Sequence, residues 1–292
     1  MGKCGKSTYY ERVPTLLTYT KIKKRPTTFN RLFGVSVDQF EEILEKVTPV
    51  WEQKVIKNYK RPGRHHKLEL CDRVLMLLLY YRTYTTQIFI GFLFNLDDSR
   101  VCRLIRVLEP ILASVIHLEK SKKLSQEEVE SLMIDATEQP IERPKKGQKS
   151  YYSGKKKRHT LKNEIRITPK GRIVHVSKSR AGSSHDFTLY KEGPPLPKET
   201  RLYVDSGYQG LDKLHAQTEL PYKKTKTTEL DAEEKEYNRA LSRYRVVVEH
   251  IIGDLKTFRI LSDRFRNKRK RHNLKFNIIA GIVNMKNGFA TA

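Results

Sequence analysis

Two short apolar runs in this chain each close on an acid, Leu132-Met133-Ile134-Asp135 and Leu202-Tyr203-Val204-Asp205. Runs of this length read as buried strands. An aspartate closing each places a carboxylate at a strand end, where open α/β sheets collect their ligands. A buried carboxylate is costly unless it is paired or holds a cation. The pattern stands out because the chain is so basic: 58 Lys and Arg against 33 Asp and Glu give a net charge of +25.

That charge points to a polyanionic partner, most simply nucleic acid. The alternative is a ribosomal or other basic structural protein. A length of 292 residues suggests about two domains. The cysteines, Cys4, Cys71 and Cys102, are far apart and form no CxxC pair, which excludes a disulfide framework and a cysteine zinc site. No N-terminal apolar stretch resembles a signal peptide. The longest apolar run, Val74 to Tyr81, is far short of the ~18 residues of a membrane span. The expected location is the cytoplasm, associated with the nucleoid. In Gly2-Lys-Cys-Gly-Lys-Ser7 the glycines are too close for a phosphate loop. Lys6 stands where a myristoylation signal needs Ser or Thr.

Along the chain, a basic N-terminal arm gives way to a helix capped by Ser36, and a second amphipathic stretch covers 51–56. A turn-rich linker, 57–67, follows. Leu68 to Arg82 reads as an apolar helix and Thr86 to Phe94 as a short one ended by Asn95. A third, capped by Asp97-Asp98-Ser99, should be kinked or ended by Pro110. This is the outline of a helix-turn-helix, with Arg100, Arg103 and Arg106 on the recognition helix. Strands are then expected at 131–136, 160–168, 171–177 and 201–205, with a possible fifth at 220–222. Ser183 or Ser184 should cap a helix through Tyr190. A long helix is expected from Asp231 to about Phe258, then a basic run, 264–271, and a last helix at about 274–287. Such an order makes an α/β (α+β) domain.

The third acid is Glu249. Arg245, Glu249 and Lys256 are spaced i, i+4, i+11 and share one helix face. The valines and isoleucines between them predict a largely buried helix, on which Glu249 needs a partner or a metal. Three carboxylates without sulfur suit Mg2+ or Mn2+. Two such ions serve phosphodiester chemistry by activating the attacking oxygen and stabilising the leaving one.

In combination these segments resemble the DDE transposases of bacterial insertion sequences, in the insertion-sequence-five-like group, over about residues 66–262. Met133-Ile-Asp-Ala-Thr-Glu138 is similar to the first acid block and Asp205-Ser-Gly-Tyr-Gln-Gly210 to the second. Arg245-x3-Glu249-x6-Lys256 resembles the third. Between the first two lie a basic second-strand segment, Tyr152 to Lys162, and a Ser184-His185-Asp186 element. Between the acids lie 69 and then 43 residues. The chain departs from the pattern at Ser242, where relatives often carry tyrosine; Tyr244 stands two residues on.

The resemblance implies an RNase H-like catalytic domain, a mixed sheet flanked by helices, at 126–262. An all-α helix-turn-helix domain would precede it at 1–125, and a basic linker and helix would follow at 263–292. It implies Asp135, Asp205 and Glu249 as catalytic residues and ligands of two Mg2+ or Mn2+ ions. Water would cleave at the transposon's inverted-repeat ends, and the freed 3′-hydroxyl would attack target DNA, with a homodimer holding the two ends. Lys256 and Arg245 are expected at the phosphate or beside Glu249, and His185 and Asp186 at the site's border. Lys155, Lys156, Lys157, Arg158 and His159 would follow the DNA, and Tyr208 would stack on a base. The alternatives are a transposase-derived DNA-binding regulator that does not cut, and an RNase H-like nuclease acting on hybrids or junctions.

Overall fold

A computed structural model of the chain describes residues 15–57, 68–118, 130–224 and 229–289. Most of the predicted linker 57–67 lies outside them. Three short N-terminal helices come first: α1 (Tyr19–Ile22), α2 (Pro26–Phe33) and α3 (Val37–Trp51). Ser36 caps α3 in a two-way capping box with Gln39. The predicted amphipathic stretch continues it as a π-turn, Glu52–Ile56.

The helix-turn-helix follows as α4 (Leu70–Thr83), α5 (Gln87–Phe94) and α6 (Asp98–Val115). Thr86 caps α5 by accepting the Phe89 N–H, and Asp97 caps α6 by accepting that of Arg100. Asn95 ends α5 in the left-handed region (φ 51°). Pro110 does not end α6. Proline cannot donate to the carbonyl four residues back, and that carbonyl, of Arg106, accepts instead from Arg271 Nη2 at 3.3 Å.

The sheet contains β1 (Ser131–Pro140), β2 (Tyr152–Ser153), β3 (Arg158–Ile167), β4 (Ile173–Val176), β5 (Arg180–Ala181), β6 (Arg201–Val204) and β7 (Thr218–Glu219). Its path is β2-β3-β1-β6-β7, with β4 and β5 also paired to β3. β1, β3 and β4 run antiparallel in succession; β6 returns parallel to β1, and β7 parallel to β6. Short helices α7 (Gln148–Tyr151) and α8 (Asp186–Glu192) interrupt the strands. This mixed sheet flanked by helices is the RNase H-like arrangement. Three boundaries differ from the sequence reading. β1 runs five residues past Asp135, because its polar second half is paired rather than solvated. The N-cap of α8 is His185, since Ser183 donates its hydroxyl to the Ser150 carbonyl. The fifth strand falls two residues early, at Thr218.

The long helix α9 (Ala232–Lys256), capped by Asp231 in a box with Glu234, crosses one sheet face over β1 and β6. A short helix, α10 (Arg259–Ser262), and the last one, α11 (His272–Lys286), complete that side. Alternation along β1 sends Met133 into this core, with Ile165, Val248 and Ile251. It sends Leu132 and Ile134 into a smaller core with Leu202, Val204 and Tyr208. The larger core is continuous with that of the N-terminal helices.

Polar clamps fix this joint. Glu109 of α6 is fully buried between Arg271 (Nη2, 2.6 Å) and Lys275 (Nζ, 2.6 Å), with the Tyr81 hydroxyl at 3.1 Å. Asn284 of α11 exchanges two 2.8 Å hydrogen bonds with the backbone of Ile173. Gln139 of β1 donates to the carbonyls of Ile260 and Asp263 and accepts from His272 Nε2 at 2.6 Å. His272 Nδ1 in turn takes the Ser179 hydroxyl.

Burial and then Lys275 hold the pKa of His272 down to about 4; burial and then Arg166 do the same to His175. Between about 4 and the unfolded value near 6.5 the unfolded chain binds more protons, so the stability is fully present above 6.5 and is lost as pH falls. Each ring contributes a few kcal/mol, at about 1.4 kcal/mol for every pH unit separating its folded and unfolded titrations. The melting-temperature gap between the wild type and His272→Gln should therefore narrow from pH 6.5 to 4.5. A gap constant with pH would show that His272 does not titrate in this way.

Candidate active site

The parallel pairing of β1 with β6 ends at Ile134 opposite Val204. The next residues are Asp135 and Asp205, so the two carboxylates leave the sheet side by side. Asp135 Oδ1 accepts the Ala136 N–H at 2.7 Å, and its Oδ2 lies 3.7 Å from Arg245 Nη2 on α9. Asp205 Oδ1 accepts the Gly207 N–H at 2.6 Å and caps the 3-10 turn Ser206–Tyr208.

Their environments push the two acids apart. Burial raises the pKa of Asp135, and Asp205 and Asp186 add to this against Arg245 and the Ala136 amide. Burial also acts on Asp205, but the Gly207 amide, Ser206, Arg245 and Lys155 outweigh it and lower its pKa. Close carboxylates whose acidities diverge are common at catalytic centres.

The opposite face carries a second polar group. Lys162 Nζ on β3 bonds Asp186 Oδ1 at 2.9 Å and the Ser184 carbonyl at 3.0 Å, with Glu138 Oε1 at 3.4 Å. Thr160 donates to Glu138 Oε2 at 2.8 Å. The other oxygen of Asp186 reaches the loop after Asp205, where a Cβ on Gly207 would stand 2.3 Å from it. A larger residue there would have to push the Asp186 carboxylate, which Lys162 holds, out of place. Lys162 and Gly207 were missed at the level of sequence; the alternation of Thr160, Lys162, Glu164 and Arg166 on one face of β3 is the signal that carries them.

The remaining expected residues divide. Lys155, Lys156, Lys157 and Arg158 are exposed on the turn between β2 and β3. Lys155 lies close enough to Asp205, and Lys156 to Lys256, to act on their acidities. His159 packs edge-on against Tyr152. Lys256 is exposed at the end of α9; desolvation and Lys156 lower its pKa, opposed by Asp135 and Glu138. His185 is exposed. Arg100, Arg103 and Arg106 are exposed along α6, with Arg100 turned toward Asp97 at 3.1 Å.

Two expectations are corrected. Tyr208 does not offer a face to a base. Its ring is fully buried among Leu132, Ile134 and Leu211, because the turn after Asp205 folds back onto the sheet. Nor is α9 largely buried: it rests on the sheet by Leu241, Val248, Ile251 and Leu255, while Val246 and Glu249 are exposed. Valine runs over-predict burial on a helix that covers one face of a sheet. Burial therefore does not require a partner for Glu249. Among the described residues no three His, Cys, Asp or Glu side chains converge to hold a metal ion. What the structure brings together is the Asp135–Asp205 pair, with Arg245 against it, Asp186 beneath it and Lys155 beside it. The adjacent, oxygen-only pair, in which the charge of Asp205 opposes ionisation of Asp135, suits a hard divalent cation.

A stacked pair of tyrosines borders this group. Tyr203 of β6 and Tyr244 of α9 lie 5.1 Å apart with rings 2° from parallel, and Tyr244 is 55% exposed.

The arrangement has counterparts. Residues 134–284 match the family model described as DDE superfamily endonuclease, and residues 66–116 match the helix-turn-helix of that superfamily. The first match runs past residue 262 into α11. The chain belongs to the DDE transposases of insertion sequences. It is 41% identical over 261 residues to a probable transposase for insertion sequence element IS702 from Microchaete diplosiphon, covering 88% of this chain and 93% of the relative. It is 28% identical over 207 residues to a putative transposase for IS112 from Streptomyces albus G, covering 70% and 75%.

Replacing Gly207 by Ala should lower stability by about 1–3 kcal/mol through the clash with Asp186. Adding Asp186→Ala should recover part of the loss, a non-additivity readable in urea midpoints. Strictly additive losses would contradict the contact.

Proposed function

We propose that the chain binds the terminal inverted repeats of a transposable element, cleaves DNA at their ends and joins them to target DNA. The observation that carries this reading is the register that sets Asp135 beside Asp205, within reach of lysines from the β2–β3 turn.

Asp135 and Asp205, with Glu249 drawn in from α9, would hold two Mg2+ or Mn2+ ions. When bound, these supply activation of the attacking oxygen and charge stabilisation at the leaving one. The chain's own residues prepare that site. Arg245 favours the charged form of Asp135, whose burial opposes ionisation. Lys162 holds Asp186 by one oxygen, so that the other supports the Asp205 loop. Lys155, Lys156 and Lys256 attract the scissile strand's phosphates. Arg100, Arg103 and Arg106 meet the duplex along α6, and His185 with Lys157, Arg158 and His159 flank its approach. Hydrolysis at an end frees a 3′-hydroxyl, which attacks a target phosphodiester.

On this reading residues 1–125 bind ends, 126–262 carry the chemistry, and 263–292 tie the two. Two ends call for a homodimer in the DNA complex, and the compartment is the cytoplasm, at the nucleoid. Glu249 standing exposed favours a second reading, a DNA-binding regulator that does not cut.

The test is cleavage of duplexes bearing the element's ends, with Mg2+ or Mn2+. Asp135→Asn and Asp205→Asn should each reduce nicking to background and leave binding intact. Arg245→Gln should raise the metal concentration for half-maximal cleavage by roughly 10- to 100-fold, as loss of an outer partner does. Equal cleavage by wild type and Asp135→Asn would refute the assignment. Binding without cleavage by the wild type would favour the regulator.

A further inference from the structure

Residues 264–271 hold six cations in eight positions, Arg264, Arg266, Lys268, Arg269, Lys270 and Arg271. Such a block repels itself and is ordinarily a loose tail. Here it is stapled down. Phe265 is buried, and its N–H bonds the Pro140 carbonyl at 2.8 Å. Asn267 Nδ2 donates to the hydroxyls of Tyr80 (3.0 Å) and Tyr84 (3.2 Å) on the helix-turn-helix side. The Arg266 N–H bonds the Tyr84 hydroxyl, and its guanidinium lies 4.5 Å from the centre of that ring. Arg271 closes the far end on Glu109.

The staples leave a two-residue alternation. Phe265 and Asn267 turn inward; Arg264, Arg266 and Lys268 are exposed, as are Arg269 and Lys270. Over Arg264 to Lys268 the backbone is not helical, and alternate residues of an extended chain are about 6.6 Å apart, so these outward cations are spread out; Arg269 and Lys270 follow on a 3-10 turn, Arg269–Arg271. Among the described residues, Arg264, Lys268, Arg269 and Lys270 have no acidic partner within 4.0 Å. Arg269 instead covers the Tyr151 ring at 4.5 Å.

The turn that closes this strap, Arg269–Arg271, touches both sides of the molecule. Arg271 grips the Arg106 carbonyl of α6. Two residues earlier in the same 3-10 turn, Arg269 meets Tyr151, which leads directly into β2 and the lysine turn beside Asp205. Exposed cations therefore lie between the helix-turn-helix and the lysine turn beside the acids.

We propose that this strap is a binding surface for the sugar–phosphate backbone of duplex DNA, carrying the duplex from α6 to the acid pair without reading its sequence. The inference rests on the DNA-processing function proposed above. It adds a contact surface in a segment belonging to neither the helix-turn-helix nor the acid blocks. Immobilising like charges at this density is unfavourable alone and becomes favourable when phosphates displace their counterions.

The test uses the full chain with Arg264→Gln, Lys268→Gln and Lys270→Gln combined. These side chains make none of the staples. Binding to a duplex carrying the inverted repeat, and to a scrambled duplex of equal length, is followed by anisotropy between about 50 and 200 mM salt. Each phosphate contact contributes a slope of roughly 0.9 in log K against log salt. The triple variant should have a slope shallower by about two to three, with the preference for the repeat over the scrambled duplex unchanged. Should it unfold, Arg264→Lys, Lys268→Arg and Lys270→Arg together must restore the wild-type slope. An unchanged slope in the folded glutamine variant would overturn the proposal. So would a loss confined to single-stranded DNA, or a lost preference for the repeat. Cleavage is scored separately: wild type that binds with the strap-dependent slope yet does not nick would sink the catalytic reading and leave the strap standing.

Discussion

Every feature of the site depends on one pairing, the four-residue parallel ladder between β1 and β6. Side chains alternate across a strand, so a slip of one residue would carry Asp135 to the opposite face. The register is held from both sides. Antiparallel β3 pairs with β1 from Met133 to Pro140, and Met133 and Ile134 send apolar side chains into separate cores. The ladder stops where β6 ends, at Val204, and the carboxylates emerge at that point. Their divergent acidities follow from what each meets there: an amide-lined turn for Asp205, and for Asp135 a burial that the Arg245 guanidinium at 3.7 Å only partly offsets.

The local grammar of the chain was legible. Ser36 and Asp97 cap helices because an oxygen side chain ahead of an apolar period satisfies an orphan N–H, and Asn95 ends one by adopting φ above zero. The acids closing two apolar runs marked the strand ends, and the resemblance supplied the sheet. The rest depended on partners far away in sequence. Thr137, Glu138 and Gln139 look like a loop until Lys162, His272 and the carbonyls of α10 are brought to them. Pro110 looks like a stop until Arg271 takes the freed carbonyl. Tyr208 looks like a surface aromatic because nothing local says that its turn folds inward. The exposure of Glu249 follows from α9 lying on a single sheet face, which periodicity alone did not reveal.

Buried polar groups do much of the joining. Glu109 with Arg271 and Lys275 would cost more to desolvate than it returns if any partner were missing. Complete, it selects one docking of α11 against α6. The His272–Gln139–Ser179 chain does the same for α11 against β1, and Asn284 for α11 against β4. The C-terminal helix is thus a keystone between the two halves.

This keystone has a geometric consequence. The path from Arg106 to Asp135 is set by packed side chains. On the proposed function, the separation between α6 and the acid pair is therefore a built-in ruler. On that function, loosening Glu109 would blur it, turning a single cut position into a spread of neighbouring ones.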